Sequence, residues 1–515
     1  MNLSDLDFKT LDSIKRGIER EALRVTPKGN VAQSNHSKKL GEKLTHPNIT
    51  VDYSEGLLEL ITEPFESYSS LFESLETYLN FTYQNLEHSE LLWPMSMPPK
   101  TCEDEIKIAD FGHSNSGMMK HIYRRGLAIR YGKVMQIIAG IHYNFSFPDE
   151  FLSQLIPENG HSEHTLQYYK NKYYFRLIRK FYQNAWLLPY LFGATPIIAK
   201  TSVNNQHKLQ EFDSQYYYHK YATCLRMSEF GYQSHAQKDL NISYRDIKSY
   251  VNDLVKATQI PFSDYTQLGV LDKNYGYKQL NDCILQIENE YYNPIRPKQI
   301  VHRCERPACA LSKRGVSYIE LRTLDINPFM PLGIDLQSAH FLDVFFLYCL
   351  LAEAPIYSKS MIQIAKENFA LVANYGRNPQ LKLHKNSNDI LLKDWAHLIL
   401  NECLLIAEKW DQTNATNHYQ SAVYAQIEKL NDVEKTPSAM LINSIKQSKL
   451  NTEDWMLNQA YQHQQSLLET KLPLNLLAKL KREVSDSQEA LKLLETKEEG
   501  AFESYIQRYY ASVCR

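Results

Sequence analysis

Two spacing regimes divide the chain. From Gly17 to about Asn327, short runs with two-residue alternation interleave with helical segments; from about Gly333 onward apolar residues recur at mixed three- and four-residue intervals. These are the periods of strand and helix. The later regime includes IDLQSAHFLDVFFLYCLLAEA, NDILLKDWAHLILNECLLIAEKW and LPLNLLAKLKREVSDSQEALKLLETKEEGAFESYIQRYY, which predict helices with one core-facing stripe. No repeat, low-complexity tract or Gly/Ser linker separates the regimes. The expected organisation is an α+β region over 1–375 with a helical region over 376–515 packed on it.

Four strands are predicted: GIEREALRV (Gly17 to Val25), ITVDYSEGLLELIT (Ile49 to Thr62), MQIIAGIHYNFSF (Met135 to Phe147) and GVSYIELRTLDI (Gly315 to Ile326). In the third, Gln136, Ile138, Gly140, His142, Asn144 and Ser146 share one face and six apolar or aromatic residues share the other, the pattern of a half-solvated sheet. Long helical segments separate the strands and close βαβ alternation is missing, so an α+β fold with a mainly antiparallel sheet is expected.

The first strand raises a question. Glu19 and Glu21 stand on one face about 6.5 Å apart, a repulsion of about 2.5 kcal/mol at an effective dielectric of about 20. Acids recur at Asp52, Glu59, Glu288, Glu290 and Glu320, although strands disfavour them. They could line a wet face and pair with Arg20, Arg24, Arg296 and Arg322. Converging on one concave face, they would instead repel by several kcal/mol in total, and divalent cations held by oxygen ligands would reverse the sign. Asp52 and Glu59 have opposite strand parity; a bulge at Gly56 would restore a common face.

Composition narrows the partners. The 515 residues carry a net charge of −2, which argues against a nucleic-acid binder driven by bulk electrostatics. The most apolar run, VFFLYCLLA, is far shorter than the ~20 residues of a membrane span, and the opening MNLSDLDFKTLDSIKRG has no secretory pattern. Eight cysteines include no CxxC pair, so a zinc site is not expected and a reduced cytoplasmic setting is. No GxxxxGK[ST] or GxGxxG occurs. Any triphosphate would then be held by metals and by bases such as Arg124, Arg226, Arg296 and Arg322; Arg322, sharing a strand face with Glu320, is best placed.

GIERE, VDYSEGLLELIT, AGIHYNFSFP, PYLFGATP, QIENEYYNPIRPK and YIELRTLDINPF, in that order, closely resemble the glutamate–cysteine ligase family of γ-proteobacterial type. The resemblance runs strongly from about Gly17 to Ala352 and weakly through the helical part; Asp149 to Glu163 and RCERPACALSKRG depart from it. It implies a glutamine-synthetase-like fold, with the sheet curved into a funnel in the catalytic 1–375 region. It also implies the reaction: ATP phosphorylates the γ-carboxylate of L-glutamate, and the amine of L-cysteine displaces phosphate to give γ-glutamylcysteine, the first step of glutathione synthesis. Carried over by motif, Glu19, Asp52, Glu59, His142 and Glu320 would hold Mg²⁺ (or Mn²⁺), with Glu21 beside them. Arg322 would neutralise the transferring phosphoryl group, and Arg226 would hold a substrate carboxylate. Tyr123, Arg124, Leu127, Gln136, Ile138, Tyr232 and Tyr292 would line the substrate pocket. A monomer inhibited by glutathione is expected. Two alternatives stay open: a carboxylate–amine ligase with another acceptor, and a non-catalytic glutamate or nucleotide sensor.

Overall fold

The computed structural model describes residues 3–157, 165–203, 207–231, 234–272, 276–385, 388–498, 500–512 and 514. Its centre is a seven-stranded antiparallel sheet: β1 (Lys15–Val25), β2 (Ile49–Val51), β3 (Leu57–Ile61), β4 (Leu91–Leu92), β5 (Ile141–Ser146), β6 (Ile295–Lys298) and β7 (Tyr318–Leu324). The spatial order is β6-β7-β5-β1-β3-β2, with β4 pairing the far end of β1.

Strand parity decides what each face carries. One face of β1 presents Ile18 and Ala22 to the core, both fully buried. Arg20 and Arg24 share it and are engaged there, Arg20 with the carbonyl of Leu332 and Arg24 with Glu90 at 2.6 Å. They are therefore not partners of the acid doublet on the opposite face. The helix Leu336–Leu351 is buried along almost its whole length. Its one acidic residue, Asp343, takes Arg16 Nε at 2.5 Å and the hydroxyls of Tyr68 and Tyr143, which is how a buried carboxyl is tolerated.

Four expectations are corrected. The run from Ile49 to Thr62 is two strands joined by a turn. The amide of Asp52 donates to the carbonyl of Leu57, and that of Leu57 to Ser54, so the parity of Asp52 and Glu59 is reset by a hairpin rather than by a bulge. The predicted strand from Met135 begins only at Ile141; Met135–Ile137 is a 3₁₀ turn, so Gln136 and Ile138 reach the cavity from a loop. The helical part contains a hairpin, Lys382–Lys385 with Asn388–Leu391. Cys309 is disulfide-bonded to Cys514, a pairing across 205 residues that no local spacing could announce. One continuous hydrophobic core contains residues from Leu6 to Leu480, so the helices after 376 share the core of the sheet. Among the described residues no helix is long and apolar enough to cross a membrane.

Candidate active site

The register of the sheet puts the acids together. Glu19 on β1 lies directly opposite His142 on β5, and Glu21 lies opposite Glu59 on β3. Glu320 on β7 lies opposite Asn144 of β5 and Arg296 of β6. Directly opposed side chains on one face have Cβ atoms about 4.5–5.5 Å apart, so these contacts follow from strand pairing. His142 Nδ1 is 3.0 Å from Glu19 Oε2, and its Nε2 is 3.7 Å from Glu21 Oε1. Asn144 donates to Glu19 Oε1 at 2.8 Å, and the amide of Gly140 donates to Glu21 Oε2 at 2.5 Å.

Two sets of possible ligand atoms result, each within 4.8 Å of one another: Glu19, His142 and Glu320, and Glu21, Glu59 and His142. His142 belongs to both. Oxygen-rich sets with at most one imidazole suit hard divalent cations such as Mg²⁺ or Mn²⁺. The electrostatics fit such a guest. Burial, then the charges of Asp52, Glu19 and Glu21, push the Glu59 carboxyl well above its ordinary range. Glu21 is pushed up by burial, with Asp52 adding to it. These acids resist becoming anions together, and a bound cation would remove that resistance.

The other end of the cluster is balanced by protein cations. Burial opposes ionisation of Glu320, but Lys298, Arg322 and Arg296 hold its carboxyl well below the usual range. Lys298 Nζ is 3.1 Å from Oε1, Arg322 Nη1 3.2 Å from Oε2, and Arg296 Nη1 3.9 Å from Oε2. Burial likewise opposes a charged Glu19, and the hydrogen bond and charge of His142 outweigh it. Nε of Arg322 and Nε2 of Gln136 are buried without a hydrogen-bond partner among the described residues.

A cavity of about 360 Å³ is bordered by Glu19, Glu21, Asp52, Glu59, Tyr123, Arg124, Leu127, Gln136, Ile138, His142, Arg226, Tyr292, Glu320 and Arg322. Every site residue implied by the resemblance is thus on its wall except Tyr232, which lies outside the described residues. Asp52 borders the cavity without belonging to either ligand set; its carbonyl accepts from Arg124 Nε.

The QIENEYY acids are a correction. Glu288 turns away to pair with Arg306 at 2.7 Å. Glu290 borders the cavity, but its carboxylate is taken by Arg130, the Tyr131 hydroxyl and the amide of Gln286. Both sit on a 3₁₀ turn and not on the sheet.

Two basic cavity residues were missed. Lys120 sits on helix α1 (Asn115–Tyr131), and burial pushes its ammonium down to about 8. Lys120, Tyr123, Arg124 and Leu127 all border the cavity at i, i+3, i+4 and i+7, so the helical period would have found it. Lys298 is two residues from Arg296 on β6 and shares its face, a signal of strand parity.

Comparisons with known proteins identify the fold and the chemistry. A family model described as glutamate–cysteine ligase matches residues 3–372. The chain belongs to the glutamate–cysteine ligase family. A glutamate–cysteine ligase of Pseudomonas fluorescens is 41% identical, over 98% of this chain and 95% of its own length. That of Alcanivorax borkumensis is 41% identical over 97% and 96%. A crystal structure of the Francisella tularensis glutamate–cysteine ligase in complex with AMP superposes with a TM-score of 0.92 at 45% identity, covering 97% of each chain. A bifunctional glutathione synthetase from Pasteurella multocida, 24% identical with a TM-score of 0.72 over 91% of this chain and 55% of its own, shares the fold. The protein is an ATP-dependent ligase of glutamate and cysteine, and the sensor alternative falls away.

Proposed function

We propose that the cavity on the sheet is where ATP, L-glutamate and L-cysteine meet, with Glu19, Asp52, Glu59, His142 and Glu320 holding Mg²⁺ and Glu21 beside them. The observation that carries this reading is His142, shared between two acid sets whose carboxyls repel one another when alone. A divalent ion held by these residues would supply neutralisation of the charge that develops during phosphoryl transfer.

The chain's own residues supply the rest. A free carboxylate is a poor acyl donor, so the γ-carboxylate is activated as an acyl phosphate before the amine attacks it. Arg322, braced by Glu320 and retaining an unpartnered Nε, faces the cavity as the neutralising cation for the transferring phosphoryl group. Arg226 takes a substrate carboxylate. Tyr123, Arg124, Leu127, Gln136, Ile138, Tyr232 and Tyr292 shape the substrate pocket, where tyrosine offers an apolar ring and a polar tip. The antiparallel sheet, with the acid cluster on one face of its central strands, supports a funnel of the glutamine-synthetase kind. Residues 1–375 form the catalytic region in this reading, and 376–515 brace it in a cytoplasmic monomer open to inhibition by glutathione.

Purified protein should release phosphate only when glutamate, cysteine, ATP and Mg²⁺ are all present. Higher specificity for any amine other than cysteine refutes the acceptor assignment. Phosphate release unaffected by chelation of divalent ions refutes the metal assignment.

A further inference from the structure

Arg226 reaches the cavity from a 3₁₀ turn, Leu225–Met227, that belongs to none of the seven strands. Its guanidinium has a built seat. Nη1 lies 3.7 Å from Asp325 Oδ1, and Nη2 donates to the carbonyl of Arg322 at 3.3 Å. Behind it is Gly140, where a Cβ would stand 1.9 Å from Nη2.

Asp325 is the hub of this arrangement. It follows β7 directly, and its side chain is fully buried. Oδ2 accepts from the amide of Ala194 at 2.8 Å and the hydroxyl of Thr195 at 2.7 Å, and Oδ1 accepts from the Cys224 thiol at 3.2 Å. Thr195 also accepts from the amide of Arg226 at 3.4 Å, and its carbonyl accepts from Leu225. One carboxylate therefore ties the arginine's turn, the Ala194–Thr195 segment and the end of β7 into one rigid unit. The same β7 carries Glu320 and Arg322.

We propose that Asp325 is a positioning residue that fixes the Arg226 guanidinium so that it can grip the α-carboxylate of one of the two amino-acid substrates. This rests on the reading of Arg226 as a carboxylate holder. Desolvating an aspartate is worth its cost only if the paired arginine must be held in one place. A fixed fork then binds a carboxylate in two-point geometry without ordering a flexible chain on each turnover.

The test is steady-state phosphate release by Asp325→Asn, which keeps the shape and removes the charge. KM for one amino acid should rise at least tenfold while kcat stays within threefold. Replacing that amino acid by its analogue without the α-carboxylate, 4-aminobutyrate for glutamate or cysteamine for cysteine, should erase the difference between variant and parent. The substrate whose analogue does so is the one Arg226 holds. An unchanged KM, or an equal loss with both analogues, overturns the proposal. Arg226→Lys is measured in parallel. No KM change there refutes the reading of Arg226 itself, whereas a change there with none in Asp325→Asn refutes only the positioning role. Should Asp325→Asn not fold, Thr195→Val, which removes one of the bonds holding the carboxylate, must raise the same KM; an unchanged value overturns the inference.

Discussion

Replacing Glu59 by Gln should make the metal-free protein more stable and the enzyme nearly inactive. Glu59 and Glu21 are register partners across β1 and β3. Two carboxylates about 5 Å apart at an effective dielectric of about 20 repel by about 3 kcal/mol. The protein can escape part of this by keeping one proton, in line with the raised Glu59 carboxyl, and holding that proton at neutral pH carries a cost of its own. Either route stores free energy that the neutral amide does not. Allowing for relaxation and water, Glu59→Gln should gain about 1–3 kcal/mol without metal, read as a higher urea midpoint in chelator. Adding Mg²⁺ should shrink or reverse the difference, because the parent gains about 2.7 kcal/mol at a hundredfold excess over its Kd and the variant gains much less. Turnover should fall at least a hundredfold, with partial rescue by raised Mg²⁺. A variant less stable than the parent in chelator, or with turnover within threefold of it, would refute the account of the acid cluster.

Gly140→Ala drives a methyl into the Arg226 guanidinium; KM for the carboxylate-bearing substrate should rise at least tenfold, and an unchanged KM in the folded variant would show the seat to be slack. Arg16→Met leaves Asp343 buried without its cation and should cost about 3–5 kcal/mol in chemical denaturation, with KM unchanged. Acid should destabilise the fold above the range where its carboxylates titrate. Burial holds His36 down to about 3 and His46, His340 and His463 down to about 4. Their folded values lie below the unfolded value near 6.5, so the unfolded chain binds the extra protons, and stability is full above pH 6.5 and lost as pH falls toward 4. Each contributes about 1.4 kcal/mol per pH unit in that window; urea midpoints from pH 7 to 5.5 should fall steeply, and His463→Gln should flatten the slope.

Much of the site could be read from parity. Glu19 with Glu21, and Glu320 with Arg322, needed only a period of two to share a face, and the pleat delivered them. Where the backbone leaves the strand, parity loses its meaning. Asp52 is a turn residue, Gln136 lies on a 3₁₀ turn and Arg226 on another, so their convergence depends on contacts between segments far apart in sequence. Glu288 and Glu290 misled because acid content cannot tell whether an arginine waits nearby; Arg306 and Arg130 do. Lys120 was legible in the i, i+3, i+4, i+7 face of α1. Asp325 was not, since nothing in TLDIN signals that its carboxylate faces inward and backs an arginine about a hundred positions earlier.

The strand order also has a consequence for biosynthesis. β1 is made first but lies between β3 and β5, with β7 beyond β5, so Glu19 leaves the ribosome about 300 residues ahead of Glu320. At about 5–20 residues per second that is about 15–60 s of translation, during which a nascent chain holds the early acids without the strand that completes the cluster. The set of Glu21, Glu59 and His142 is complete once β5 has emerged, whereas the set that includes Glu320 must wait for β7.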